Sequence, residues 1–327
     1  MNGRLRRRMV SVPAVVAGAL LLTPALVLLV PCAVAIDVVT LRRRLPVTRL
    51  VAFAWWWTVA ETLGVAAAGW LFLTGRRTDH EAHYILMRRW AAGLMIGMRR
   101  CLGADVAVVG AECLSGGRAL VLSRHVSLAD SLLSAWAITS HGLNPRYVLK
   151  KELLADPCLD LVGCRIPNHF VDRKADDAES ELRAIARLTD GVSTSQNTVV
   201  VIFPEGTRAN PSKRTRALEK LSASAPARAA RLSGLRTLLP VRPAGTTALM
   251  SAAPDLDVVF AWHIGLDGMD TFGGMWRRLS AGVGKLELHF ERHAATELPS
   301  GEDRLVWLDE RWLEMDRKVS ERLQQES

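Results

Sequence analysis

"RALVLSRHVSLADSLLSAWAI" (residues 118–138) decides how the rest of the chain reads. Its first six residues form a short apolar run bounded by polar ones, the pattern of a buried strand. From Leu128 onward the run reads as a helix, so His125 falls in the turn between the two. Strand ends are where α/β sheets bind ligands, which makes His125 and Asp130 a candidate base and its orienting acid. Five helical residues turn through about 500°, which would put the two on different faces. They meet only if His125 sits in the entering turn and Asp130 in the first helical turn. The same spacing also suits a plain helix start, with Ser127 as N-cap and Asp130 reaching back toward it or favouring the positive helix end. On H-x4-D alone both readings stand.

Outward from this unit, short apolar runs rich in β-branched residues alternate with helix-like stretches. Strands are expected at 106–110, 118–123, 145–150, 169–173, 198–203, 237–242, 257–264 and 285–291, and helices at 128–139, 151–156, 174–189, 213–232 and 302–324. That alternation predicts an α/β fold: a mixed, partly parallel sheet flanked by helices. Residues 221–234, "LSASAPARAARLSG", are the most loop-like interruption, although their Ala and Arg content also allows a helix.

The first 78 residues differ in kind. No charge interrupts Met9 to Ile36, and only Glu61 interrupts Leu50 to Thr74. These apolar segments, about 9–36 and 50–74, predict an N-terminal membrane hairpin within residues 1–78. As a helix the first run exceeds the ~30 Å hydrocarbon core and is too long for a signal peptide's ~7–15-residue apolar centre. Trp55, Trp56, Trp57 and Trp70 suit the membrane–water interface. Arg4, Arg6, Arg7 and Arg8 precede the first run, and Arg42, Arg43, Arg44 and Arg49 lie between the two. A loop so basic runs against the positive-inside tendency if both segments cross. A spanning hairpin with an atypical loop and a re-entrant hairpin with every flank cytoplasmic both stay open. Residues 79–103 read as an amphipathic connecting helix, with Arg88/Arg89 and Arg99/Arg100 on one face, and residues 104–327 as the α/β domain.

The net charge of +9 over 327 residues calls for a polyanionic partner. Because basic residues cluster beside the apolar runs and no groove-reading motif appears, an anionic membrane surface fits and nucleic acid does not. The five cysteines form no CxxC and no Cys/His metal spacing, so free thiols and no metal are expected.

Three further stretches carry chemistry. "FPEGTR" (203–208) follows an apolar run; Pro204 and Gly206 shape a tight turn, Arg208 offers a planar fork for phosphate, and Glu205 can orient Arg208 or accept from a hydroxyl. "FVDR" (170–173) ends another strand and supplies Arg173. "LLPVRP" (238–243) is apolar and punctuated by proline. Each has an innocuous reading as a good turn, a solvated ion pair or an edge strand.

In this order the four blocks resemble the glycerolipid acyltransferase family, which includes the 1-acylglycerol-3-phosphate acyltransferases. The likeness covers roughly 119–245, and the intact F-P-E-G-T-R block is its most specific part. A looser likeness, from 203 to 249, points to the lysocardiolipin and lysophospholipid acyltransferase subgroup. The resemblance implies that 104–327 is an acyltransferase domain in which His125 is the general base and Asp130 its partner. Arg173, Glu205, Gly206, Thr207 and Arg208 would bind the acceptor. It implies an acyl-CoA or acyl carrier protein as co-substrate, no other cofactor, and 1-acyl-sn-glycerol-3-phosphate as acceptor, giving phosphatidic acid. Another lysophospholipid acceptor is the nearest alternative, and an inactive membrane-anchored lipid-binding protein is the alternative of another class. It also implies residence at the cell membrane with the catalytic domain on the cytoplasmic face. The chemistry agrees: a histidine near its ordinary pKa of ~6.5 is mostly neutral at neutral pH and can accept a proton. Nothing resembles the G-x-S-x-G elbow that would make Ser127 a nucleophile. One departure stands out. Arg124 replaces the asparagine usual before the histidine, and it is expected to point away or toward an anionic substrate.

Overall fold

The computed structural model describes residues 3–172 and 177–325. Two long helices, α1 (Gly3–Val39) and α2 (Pro46–Leu73), are followed by α3 (His80–Gly97), which widens into a π-helical turn at Met98–Leu102. Then come β1 (Asp105–Val109), β2 (Ala119–Ser123), α4 (Asp130–Ser140), β3 (Asn144–Lys150), α5 (Pro157–Gly163) and β4 (His169–Val171). The chain continues through α6 (Ala178–Ala186), β5 (Thr198–Ile202), α7 (Pro211–Ser224), α8 (Pro226–Arg231) and α9 (Pro243–Ala252). It closes with β6 (Asp257–Ile264), α10 (Phe272–Ala281), β7 (Lys285–His293) and α11 (Asp303–Gln325).

The strands form one sheet in the order β1-β7-β6-β2-β5-β3-β4. Every pairing is parallel except β6 with β7. The expected mixed, partly parallel α/β fold is therefore the observed one. Central strands are apolar throughout because both faces are covered. Val199, Val201, Val259 and Ala261 enter one core layer, which Leu50 and Phe53 of α2 also join. Val200, Ile202, Val258 and Phe260 enter the opposite layer, against Leu218 and Leu221 of α7 and Trp312 of α11. The sheet thus has one face under α3, α4 and α10, joined by α2, and another under α7, α9 and α11.

Two expectations are corrected. Residues 237–242 are not a strand. Pro240 has no N–H for a ladder, and Leu238 N and Leu239 N donate to buried carboxylates of Asp316 and Glu205 instead. The second concerns α5, α9 and α10, which sequence periodicity missed because each is short. Two of them carry a readable start: Asp156 accepts from Leu159 N ahead of Pro157, and Thr271 accepts from Gly274 N. The break inside 213–232 is confined to Ala225, where Pro226 begins α8.

α1 and α2 pack side by side as a hairpin, and Asp37, fully buried, accepts from Val47 N and Thr48 N to fix the start of α2. Leu20, Leu21, Val27 and Leu28 of α1 point outward with about 70% of their surface exposed. Two helices this long and apolar support membrane association. Both ends of α1 also touch the α/β domain. Arg7 and Arg8 converge on the buried Asp160 of α5 at 2.9 and 3.0 Å, while Arg42, just past α1, stacks over Trp276 of α10 at 4.7 Å.

Candidate active site

The site lies at the C-terminal ends of the parallel strands β2, β5 and β3, where strand ends leave backbone groups and loops free to meet a ligand. His125 leaves β2, while Asp130 opens α4. The turn between them brings His125 Nδ1 to 2.8 Å from Asp130 Oδ2. Ser127 is not the N-cap; that position is Ala129, and its side chain makes no cap bond. Asp130 organises the turn instead. Its Oδ2 also accepts from Val126 N at 2.5 Å and Ser127 N at 2.8 Å, and its Oδ1 accepts from the Ser127 hydroxyl.

A second imidazole shares this carboxylate. His263, buried in β6, places Nε2 3.0 Å from Asp130 Oδ1, close enough for charge interaction though outside hydrogen-bond geometry. Burial pushes the Asp130 carboxyl upward, but His263 and His125 outweigh it and hold the group well below the ordinary carboxylate range. Asp130 is therefore an anion that accepts from Nδ1 of His125. That bond fixes the tautomer whose Nε2 carries the lone pair.

His125 is also held by its own backbone. Its N–H donates to Glu205 Oε2 at 2.7 Å, and its carbonyl accepts from Ala209 N at 2.7 Å. Its ring lies 5.0 Å from that of Phe203. The F-P-E-G-T-R turn thus grips the histidine on both sides. Glu205 stands differently from expectation. It is 1% exposed, and its other oxygen accepts from Leu239 N at 2.9 Å, so each oxygen holds a backbone N–H and neither is bonded to Arg208. Burial pushes its carboxyl up to about 8, against the opposing pull of the two N–H donors and of Arg124.

Of the two directions expected of Arg124, it takes the one away from the cavity, into the interior rather than into solvent. At 1% exposure its guanidinium pairs with Asp267 and donates to the carbonyl of His263. Burial pulls its pKa down, while Asp267, Glu205 and Asp130 more than offset that, so it remains a cation. It balances the negative charge behind the histidine from the side away from the cavity.

In front of His125 lies a cavity of about 420 Å³. Its walls are mostly apolar, with Val148, Leu153, Val171, Ile202 and Phe203 prominent; its cations are Lys150, Arg208 and Arg242, and Glu152, Ser127 and Ser131 also line it. Gly206 lines it at φ +65, and a Cβ there would meet Arg242 Cδ at 2.9 Å, which accounts for glycine at this place. His125, Gly206 and Arg208 therefore share one cavity, with Asp130 behind the ring. Thr207 faces the other way, into a second cavity. Arg173 lies outside the described residues; its block neighbour Asp172 pairs with Lys151 at 2.6 Å. Sequence reasoning did not single out Arg242 or His263. The "VRP" of the fourth block was the available signal for Arg242. For His263 there was none, since only the sheet order brings β6 beside β2.

Comparison with known proteins accords with this geometry. The Acyltransferase family model matches residues 105–244, which hold His125, Asp130 and the whole F-P-E-G-T-R turn. The chain is 28% identical over 216 residues to the mouse 1-acyl-sn-glycerol-3-phosphate acyltransferase epsilon, covering 62% of this chain and 57% of that protein's length. In fold it is similar to the 1-acyl-sn-glycerophosphate acyltransferase of Thermotoga maritima. The TM-score is 0.54 at 17% identity, over 84% of this chain and 95% of the other.

Proposed function

We propose that this chain transfers an acyl group from an acyl thioester to the free hydroxyl of 1-acyl-sn-glycerol-3-phosphate, giving phosphatidic acid. The observation that carries the reading is the His125–Asp130 bond of 2.8 Å behind a mostly apolar cavity lined by three cations and one carboxylate, Glu152. The acceptor hydroxyl gives its proton to Nε2 of His125 as its oxygen attacks the thioester carbonyl. Asp130 steadies the imidazolium. The tetrahedral intermediate collapses by breaking the carbon–sulfur bond, and the imidazolium returns its proton to the departing thiolate. Substrate supplies the nucleophile, so no acyl-enzyme forms. Arg208, Lys150 and Arg242 offer charge to a phosphomonoester, with Arg173 a further candidate. The apolar walls suit an acyl chain. Mass spectrometry of products from a panel of lysophospholipids with acyl-CoA tests the acceptor. Phosphatidic acid should dominate; turnover only with a larger headgroup would overturn the choice.

The hairpin is read as re-entrant, with the α/β domain on the cytoplasmic face. What supports this is the pair of contacts at opposite ends of α1, Arg7 and Arg8 to Asp160 and Arg42 to Trp276. At 1.5 Å per residue the 37-residue helix is about 55 Å long. Crossing the bilayer would carry one end away from the domain that both ends touch.

A further inference from the structure

Acyl transfer by His125 and Asp130 leaves His263, the second imidazole beside that carboxylate, without a task. We propose that His263 is a positioning residue for the pair: its Nε2–H faces Asp130 Oδ1 from behind and holds the carboxylate so that Oδ2 stays on Nδ1 of His125. The proposal rests on the acyl-transfer reading above and adds a third side chain to its base.

Alternation along β6 sets where this ring points. Val259 and Ala261 enter the core layer that Leu133 of α4 joins, and His263, two residues on, shares their face. α4 begins at Asp130, so the ring meets the first residue of that helix. Three contacts fix β6 and its exit against the turn that carries His125. Arg124 N donates to the Ala261 carbonyl at 2.8 Å, and Leu128 N donates to the Met269 carbonyl at 3.4 Å. The Arg124 guanidinium donates to the carbonyl of His263 itself. His263 Nε2 then stands 3.0 Å from Asp130 Oδ1, with its side chain 2% exposed.

The two oxygens of Asp130 divide their partners. Oδ2 accepts from His125 Nδ1, Val126 N and Ser127 N. Oδ1 accepts from the Ser127 hydroxyl, whose hydrogen can rotate, and His263 approaches the same oxygen from a fixed strand. Arg124, the cation on this side, is spent on Asp267 and the His263 carbonyl. The His263 ring is no part of the cavity lining, so it acts through Asp130 and not on substrate. Packing alone does not call for a histidine here. Among the described residues neither ring nitrogen has a well-aligned hydrogen bond, and a buried polar group left so costs stability that a leucine in this apolar layer would not. At 3.0 Å the approach to Oδ1 lacks only direction. Catalytic hydrogen bonds are often poorly aligned before substrate binds and tighten in the reacting complex.

The test measures thiol release by the full-length chain in detergent, given acyl-CoA and 1-acyl-sn-glycerol-3-phosphate. His263→Leu removes the N–H and should lower kcat about tenfold, with both Michaelis constants within about twofold of wild type. His263→Gln sets an amide N–H near the place of Nε2 and should recover about a third of the wild-type rate or more. His263→Asn, whose shorter amide falls near Nδ1, should not. In an Asp130→Asn background, His263→Leu should cost less than about twofold more, because the carboxylate it positions is gone. Four results overturn the proposal: a kcat for His263→Leu close to wild type, a change in Michaelis constants alone, equal rates in the Gln and Asn variants, or the full loss in the Asp130→Asn background. If the Leu variant does not fold, the Gln and Asn pair carries the comparison. A second measurement needs no turnover: carbethoxylation of His125 by diethyl pyrocarbonate, read by peptide mass spectrometry. It should slow about threefold or more in His263→Leu and recover in His263→Gln. Equal labelling in all of them overturns the proposal. The expected labelling in a protein that releases no thiol would leave His263 holding the pair and sink the acyl-transfer reading.

Discussion

At the scale of the residue, Glu205 and Arg124 show how the turn that carries His125 is held from behind. Glu205 bonds the His125 and Leu239 backbones with one oxygen each. Glu205→Gln turns one of those oxygens into an NH₂ facing an N–H donor, and two buried donors cannot satisfy each other. A loss of about 1–3 kcal/mol in urea unfolding is expected. The native carboxyl keeps its proton up to about 8, whereas the unfolded one loses it near ~4.5. The folded state therefore binds more protons across that window, and this group's contribution to stability falls as pH rises through it. Glu205→Gln should flatten that slope; an unchanged slope would show that burial does not raise the group. Arg124 and Asp267 are asymmetric partners, 1% and 29% exposed. Asp267→Asn strands a buried cation and should cost ~3–5 kcal/mol. Arg124→Met leaves a carboxylate that water can reach and should cost clearly less. Equal losses in chemical denaturation would contradict the account. His125 and Asp130 were legible because their spacing fits a strand–turn–helix. The direction of Arg124 was not, since its partner lies 143 positions away.

Among the elements, the hairpin makes the most direct claim. Its apolar length was plain in the sequence, yet hydropathy cannot tell a crossing helix from one whose two ends stay on one side. That information sits in Asp160 and Trp276, far along the chain. The expected strand at 237–242 failed for a related reason: its N–H groups bond to distant carboxylates, not to a neighbouring strand. Sidedness can be measured in sealed vesicles. The four reachable cysteines (Cys32, Cys101, Cys113 and Cys164) would be replaced and the buried Cys158 kept. A cysteine at Leu41, in the α1–α2 turn, should then react with an impermeant maleimide from the same side as one at Glu302 in the α/β domain. Labelling from opposite sides would mean that α1 crosses the bilayer.

The whole molecule divides its surfaces by task. α3, α4 and α10, joined by α2 of the hairpin, cover one face of the sheet, α7 to α9 and α11 cover the other, and the strand ends between them open on His125. The sheet's class was readable from alternating apolar runs. Its order, which brings His263 to Asp130 and Arg242 across Gly206, was not, because register between distant strands leaves no local trace. The central claim is acyl transfer by His125 with Asp130 behind it, and release of CoA thiol measures it most directly. Purified protein in detergent, given acyl-CoA and 1-acyl-sn-glycerol-3-phosphate, should release thiol in step with phosphatidic acid formed. His125→Ala should lower that rate by about 10²–10⁴-fold, the usual contribution of a positioned base. Thiol release that is absent from the wild type, or unchanged in His125→Ala, would contradict it.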